Sequence, residues 1–232
     1  MPGKIYMIPV TLGSDDYRLL IPDKVIGITR SLRVFIVENV RTARRFLRLI
    51  DTEFPIGDTL FVELNEHTPE PDIIRCLDPV IDGRDAGLMS EAGMPGIADP
   101  GARVVSLAHQ KKIRVIPLSG PSSITMALMA SGLNGQNFAF HGYLPVRDKE
   151  RIAKIRELET KSRSGQAQIF METPYRNQKI LESLLDVCSS DRKLCIASDI
   201  SLHSESIKTK TIGEWRKNIP DIKNHPSIFI LQ

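Results

Sequence analysis

The chain has 232 residues and little cysteine: only Cys76, Cys188 and Cys195. Three scattered cysteines make neither a disulfide framework nor a zinc knuckle, and each reads as a small buried hydrophobe. The five histidines are dispersed and form no HExxH-type pair, so no metal is expected. No apolar run approaches the roughly 20 residues that cross a bilayer, so no membrane partner is expected. The opening MPGKIYMIPVTLGSDD lacks the apolar core and small-residue cleavage site of a secretory leader, and a cytoplasmic location is the expectation. GxGxxG and GxxxxGK[ST] are both missing, which disfavours a Rossmann dinucleotide site and a P-loop. GxSxG is missing too, which removes the usual support for a hydrolase. There is no repeat and no low-complexity tract.

What is present is an ordinary globular composition, 41% hydrophobic and 25% charged, in a chain long enough for one large domain or two small ones. The net charge of +3 is too small to establish a nucleic-acid partner by itself. Its distribution says more. Between Lys24 and Arg48 there are seven basic residues (Lys24, Arg30, Arg33, Arg41, Arg44, Arg45, Arg48) against one acidic residue, Glu38.

Short apolar runs read as strands at Lys4–Pro9, Arg33–Val37, Leu60–Leu64, Ala86–Ser90 and Ile113–Leu118. Val37, Val40, Phe46, Leu47 and Ile50 trace a helical stripe. Asp99–Pro100 reads as an N-cap with proline at the first helical position, ahead of a helix over Arg103–Lys112. Strands alternating with helices predict an α/β domain with a mainly parallel sheet over 1–117. In 118–232 the rhythm changes. A helix runs from Ser122 to a stop at Gly132. Strands follow at Phe138–Leu144, Ala167–Glu172, Lys193–Ser198, Ser206–Ile212 and Ser227–Leu231, with helices at Asp148–Lys161 and Tyr175–Val187. This predicts an α+β domain with a mixed sheet.

Two glycine–proline loops stand out, Ser90–Gly101 (SEAGMPGIADPG) and Pro117–Ser123 (PLSGPSS). Each follows a candidate strand. Glycine and proline preshape such loops and let a ligand approach the backbone, so the pair suggests one small-molecule cleft. The second loop opens a helix, whose free N–H groups and positive dipole end suit a carboxylate or the polar edge of a base. A capped helix at a domain junction is the alternative.

Residues 86–145 resemble the tetrapyrrole methylase superfamily, the class III S-adenosylmethionine-dependent methyltransferases. They are most similar to the branch that 2′-O-methylates a cytidine ribose in small-subunit ribosomal RNA. The resemblance rests on SEAGMPGIADPG (90–101), VIPLSGPSS (115–123), ASGL (130–133) and FAFHGYLP (138–145). IYMIPVTLG (5–13), FIVENVR (35–41), ELNEH (63–67) and FMETPYR (170–176) fall in order around them. It implies two α/β domains with S-adenosylmethionine in the cleft between them, and a homodimer. By motif it implies donor contacts from Pro9, from Met94 and Ile97, from Ser122 and Ser123, and from Met171 and Pro226. The family's PTPIGNL, AEDTR and SDAGTP are altered here to PVTLGSD, VENVR and SEAGMP, and the chain stops at Gln232 where typical members continue. The resemblance therefore describes a divergent, shortened member.

Methyl transfer from a sulfonium is an in-line displacement in which alignment and desolvation dominate. A hydroxyl acceptor also benefits from a base, for which Glu38, Glu91 and Glu172 are the carboxylates in the matching motifs. Structural roles as caps or ion-pair partners are the alternative, and Glu172 can pair with Arg176 four residues on. For an RNA acceptor, Arg41, Arg45 and Arg48 recur on one helical face with Arg44 beside them. Arg147, Lys149 and Arg151 form a second cluster, but the i,i+4 pairs Glu150–Lys154 and Glu157–Lys161 read as a self-compensated exposed helix. Tyr143 and Tyr175 either stack on a base or lie in the core. The leading expectation is a methyltransferase acting on a ribosomal RNA ribose. The alternatives are methylation of a tetrapyrrole or another small molecule, and a non-catalytic RNA- or ribosome-associated protein that keeps the fold.

Overall fold

A computed structural model describes residues 1–232 as two compact units, Met1–Ser122 and Ser123–Gln232. The first unit is built on strands β1 (Lys4–Met7), β2 (Val34–Val37), β3 (Leu60–Glu63), β4 (Ala86–Met89) and β5 (Arg114–Pro117). They form one sheet in the order β3-β2-β4-β1-β5, and every pairing in it is parallel. Its helices are α1 (Asp23–Ser31), α2 (Val40–Ile50), α3 (Glu70–Arg75), α4 (Asp78–Ile81) and α5 (Gly101–Gln110).

The strand order dictates where the helices go. From β1 to β2 to β3 the chain steps toward one edge, and from β3 to β4 to β5 toward the other. Right-handed crossovers then place the helices of the two runs on opposite faces. The core shows this split. Phe35 and Val37 of β2 pack with Val25 and Ile26 of α1 and Phe46, Leu47 and Ile50 of α2. Val34 and Ile36 of the same strand pack with Ile73, Leu77 and Val80 and with Val104 and Ala108 of α5. A strand buried on both faces must be apolar throughout, as VFIV is. The loops leaving β2 and the adjacent β4 depart to opposite faces, which opens a crevice at the carboxyl ends of the strands.

The second unit contains α6 (Ser123–Ser131), β6 (Phe138–Tyr143), α7 (Asp148–Ser162), β7 (Ala167–Glu172), α8 (Asn177–Val187), β8 (Lys193–Ser198), β9 (Ser206–Thr211), α9 (Ile212–Lys217) and β10 (Ser227–Leu231). The sheet order is β6-β7-β10-β8-β9. β6 and β7 are parallel and the other pairs antiparallel. Phe170 and Phe229 stack at 5.7 Å in a core formed with α7, α8 and α9, while α6 lies against the other face of β8, β9 and β10.

These observations bear out the α/β class with a parallel and a mixed sheet. Several local expectations are corrected. Val37 belongs to β2 and not to the α2 stripe, because the helix begins only after Asn39, whose Oδ1 accepts from the N–H groups of Arg41 (2.9 Å) and Thr42 (3.4 Å). β9 ends at Thr211 rather than continuing to Ile212, because Thr211 and Glu214 form a capping box that starts α9. Pro100, not Asp99, is the N-cap of α5. Helices α1, α3, α4 and α9 were not expected. Gly132 follows α6 at φ +68°, the left-handed conformation anticipated there.

Candidate functional site

Three loops of the first unit meet at the carboxyl end of its sheet. The loop after β1 carries Pro9, which is buried, and Val10, whose N–H donates to the Gly93 carbonyl at 3.0 Å. The loop after β4 carries Gly93, Met94 and Ile97. The loop after β5 carries Gly120, Pro121 and Ser122. A Cβ on Gly120 would fall onto the Pro9 ring, so only glycine permits this approach. Gly93 sits at φ +71°, and a Cβ there would meet Leu12 Cδ2 at 3.3 Å and the Pro121 carbonyl at 3.4 Å. The two glycine–proline loops and the end of the first strand therefore form one continuous backbone wall.

Asp99 fixes the first of these loops. Its Oδ2 accepts from the Gly96 N–H and its Oδ1 from the Gly101 N–H, both at 2.6 Å. Burial raises the Asp99 carboxyl above its ordinary value despite these donors. The intervening Ala98 is held at φ 61°. Next to this loop lies a cavity of about 520 Å³, lined by Met7, Met94, Gly96, Ile97, Pro117 and Leu118 among others. That volume is within the roughly 300–1,000 Å³ of small-molecule sites. Met94 and Ile97 thus line a cavity, Pro9 and Gly120 close the adjoining wall, and Ser122 is buried at the end of the unit. Ser123 opens α6 in the second unit.

The three candidate carboxylates differ. Glu38 directly follows β2 and is half-buried in the crevice, where its Oε2 accepts from the Glu91 N–H at 3.1 Å. Burial raises its carboxyl above the ordinary range, and the neighbouring Asp99, Glu91 and Glu66 charges add to the shift. Glu91 is exposed and contributes its backbone. Glu172 is in the second unit with its side chain 1% exposed, ion-paired to Arg176 and accepting from the Thr173 N–H at 2.7 Å. Its oxygens are already committed, so the pair with Arg176 is its role in the fold.

Met171 and Pro226 lie at one end of the second sheet. Met171 pairs with Ile228 across the ladder, and Pro226 directly precedes β10 and accepts from the Asp199 N–H at 2.9 Å. Tyr143, opposite Met171 in the register, is 56% exposed and Tyr175 66% exposed, so neither is a core residue.

The basic residues are partly committed locally. Arg44 lies over the Phe61 ring at 5.2 Å, Arg45 pairs with Asp15 at 3.2 Å, and Arg48 donates to the Thr52 carbonyl. One acidic partner absent from the local sequence, Asp15, thus arrives from elsewhere in the fold. Arg41 is exposed at the start of α2 with no ion pair. In the second cluster, Arg147 pairs with Glu150 at 3.3 Å. Arg151 is buried, donating to Val146 O, Asp148 Oδ1 and Ser183 Oγ, which removes it from any exposed patch. Lys154 bonds Glu157 rather than Glu150, and Lys161 bonds Glu157 as expected. The cysteines are all buried, and burial pushes the Cys188 thiol up to about 12 and that of Cys76 to about 11. No helix is long and apolar enough to cross a membrane.

Two residues at this end of the first unit escaped sequence reasoning. Asp99 was read as a helix cap, although its bond to Gly96 closes the loop. Gly120 was read as conformational freedom, although its role is the close approach to Pro9. Only the spacing of glycines hinted at either.

Comparison with known proteins agrees with this geometry. The sequence profile of the tetrapyrrole (corrin/porphyrin) methylases matches residues 4–215. The protein named ribosomal RNA small subunit methyltransferase I from Vibrio cholerae is 30% identical over 210 residues, covering 90% of this chain and 69% of its own. Its namesake from Halalkalibacterium halodurans is 30% identical over 215 residues, covering 91% and 69%. Among solved structures, the methyltransferase CobJ aligns with a TM-score of 0.67 at 15% identity over 99% of this chain and 93% of its own. A uroporphyrin III C-methyl transferase from Thermus thermophilus aligns with a TM-score of 0.61 at 14% identity over 99% and 97%. The structural likeness carries the fold, the profile and sequence relatives carry the lineage, and together they show that this chain belongs to the tetrapyrrole methylase family of methyltransferases.

Proposed function

We propose that the chain is an S-adenosylmethionine-dependent methyltransferase acting on a ribose 2′-hydroxyl of small-subunit ribosomal RNA. The observation that carries this reading is the convergence of the loops after β1, β4 and β5 beside the Met94–Ile97 cavity. The names of the sequence relatives support RNA as the acceptor.

The residues present fit the donor. Glycine at 93 and 120 lets the loops pack into one wall beside the cavity, and Met94, Ile97 and Leu118 offer a ligand apolar surface there. When bound, S-adenosylmethionine supplies an electrophilic methyl group on a sulfonium. We assign Pro9, Met94, Ile97, Ser122 and Ser123 to holding and orienting it, and Met171 and Pro226 to its adenine side. Glu38 is the base candidate: transfer would exchange the sulfonium's S–CH3 bond for an O–CH3 bond on the ribose and leave S-adenosylhomocysteine, and the Glu38 carboxylate would take the hydroxyl proton. A raised pKa brings this group nearer neutrality, where a base transfers protons most effectively. Arg41 leads the phosphate contacts, with Arg44, Arg45 and Arg48 of the same helix and Arg147 of the second unit as further contacts. We place the enzyme in the cytoplasm as a homodimer, which light scattering checks.

Calorimetric titration with S-adenosylmethionine and S-adenosylhomocysteine tests the first step, and saturable heat is expected. Mass-spectrometric mapping of ribosomal RNA from cells lacking the protein tests the second. A missing ribose methyl group supports the proposal, and an unchanged RNA methylation pattern contradicts it.

A further inference from the structure

Three of the five non-glycine residues with left-handed backbone cluster at one point of the second unit: Asp199 (φ 53°), Ser201 (φ 71°) and Asn224 (φ 66°). Such conformations persist only where the surroundings enforce them, and they concentrate at functional sites. At this point Asp199, buried just beyond β8, accepts from His225 Nδ1 at 2.6 Å and from Ser204 Oγ at 2.7 Å. The His225 carbonyl is held as well, accepting from Asn177 Nδ2 at 2.5 Å and Ser227 Oγ at 2.9 Å. The imidazole is therefore fixed in place and tautomer. Nδ1 carries the proton given to the carboxylate, and Nε2 remains on a side chain that is 48% exposed.

Beside it is a cavity of about 200 Å³ on the α9 face of the sheet, which His225, Ser206, Lys208 and Lys210 help to line. The last three alternate along one face of the edge strand β9. Neither lysine belongs to an ion pair, and the Lys210 ammonium lies 4.7 Å from the centre of the Trp215 ring. The carboxylates at the cavity are Asp199, already bonded to His225 and Ser204, and Asp221. Lysine on an edge strand commonly serves to block strand pairing. That role needs neither a cavity nor an imidazole locked by a buried carboxylate. The volume is below the roughly 300 Å³ of the smallest drug-sized sites, which favours a small anion.

We propose that this cavity binds a phosphate group, with Lys208 and Lys210 as the cations and Ser206 and His225 as hydrogen-bonding partners. Two sources carry that chemistry, an RNA backbone and a small phosphorylated molecule. The RNA source rests on the function proposed above, whereas the phosphate chemistry does not.

The test follows the His225 ring signals by NMR while inorganic phosphate is added to the whole protein. A saturable shift is expected, with affinity at least tenfold weaker in the Lys208→Gln/Lys210→Gln double variant. Lys208→Gln alone leaves the Lys210–Trp215 contact and serves if the double variant does not fold. The second arm measures binding of a small-subunit ribosomal RNA fragment against salt. A salt slope reduced by about 1 in the variants assigns the site to the RNA backbone. An unchanged slope with the phosphate response lost assigns it to a small phosphate ester. No saturable shift in the unaltered protein overturns the proposal. Donor titration on the same samples separates the two readings: a phosphate response without donor binding would retire the methyltransferase proposal and leave the anion pocket standing.

Discussion

In the first unit each contact that holds the candidate loops has a backbone group on at least one side: Val10 N–H on Gly93 O, the bare Gly120 backbone against the Pro9 ring, and the Gly96 and Gly101 N–H groups on the Asp99 carboxylate. In the second unit the comparable ends of strands are held by side chains: Glu172 with Arg176, Asp199 with His225 and Ser204, and Ser198 with Ser227 at 2.7 Å. The difference follows from sheet type. In the parallel sheet every strand leaves through a loop at the same end, so several loops meet there and must pack closely. In the mixed sheet incoming and outgoing strands alternate from β7 through β10 and β8 to β9, and polar side chains have room to bond across the ladder. The first arrangement should be broken by adding a methyl group, the second by removing a charged partner.

The largest effect is expected at Glu38. Glu38→Gln keeps an acceptor for the Glu91 N–H but removes the proposed base, and the methylation rate should fall about 100- to 10,000-fold with donor affinity unchanged. Because burial raises this carboxyl, the acid limb of the pH–rate profile should lie above the ordinary carboxylate range. The stability consequence has the opposite sense to that of a salt-bridged acid. A raised folded-state pKa gives stability that is present at low pH and lost as pH rises through it. Glu38→Gln should therefore not destabilise the protein at neutral pH in a denaturant titration, and any gain should disappear on acidification.

Glu172→Ala should show the reverse pattern. It leaves Arg176 and the Thr173 N–H without their buried acceptor and should cost about 3 kcal/mol in chemical denaturation. Glu172→Gln should recover part of that loss. If Glu172→Ala instead folds normally and abolishes methylation, the division of roles between the two units is wrong.

Gly120→Ala should cost about 1–3 kcal/mol, because its Cβ occupies the place of the Pro9 ring. Donor affinity should fall at least tenfold, read by calorimetry at a temperature where the variant is folded. Arg41→Ala should be the mildest change. It should leave thermal stability unaltered and reduce the salt slope of RNA binding by about 1.

Much of this comparison was legible in the sequence. VFIV announced a strand buried on both faces, and Ala167–Glu172, Lys193–Ser198 and Ser227–Leu231 were bounded as the structure has them. The short helices α3 and α4 were not legible. Each has six residues or fewer, too few to show a period, and tertiary packing of Ile73 and Val80 decides them. α9 did carry a signal, threonine three residues before glutamate, but the β-branched run ahead of it reads as a longer strand. Within the candidate site, Met94 and Ile97 were reachable from motif, whereas the contact of Gly120 with Pro9 joins positions 111 residues apart and exists only in the fold. The same limit applies to Arg45, whose partner Asp15 lies 30 residues away, whereas Arg151 pairs with Asp148 at a local i,i+3 spacing and only its burial needed the fold.

The central claim is that the loops after β1, β4 and β5 form the donor site. A crystal structure with S-adenosylhomocysteine bound tests it most directly. The account predicts the ligand against Pro9, Met94 and Ile97, with its polar groups on the backbone of the Gly93 and Gly120 loops. Density for the ligand elsewhere, with the Met94–Ile97 cavity empty at saturating concentration, would contradict it.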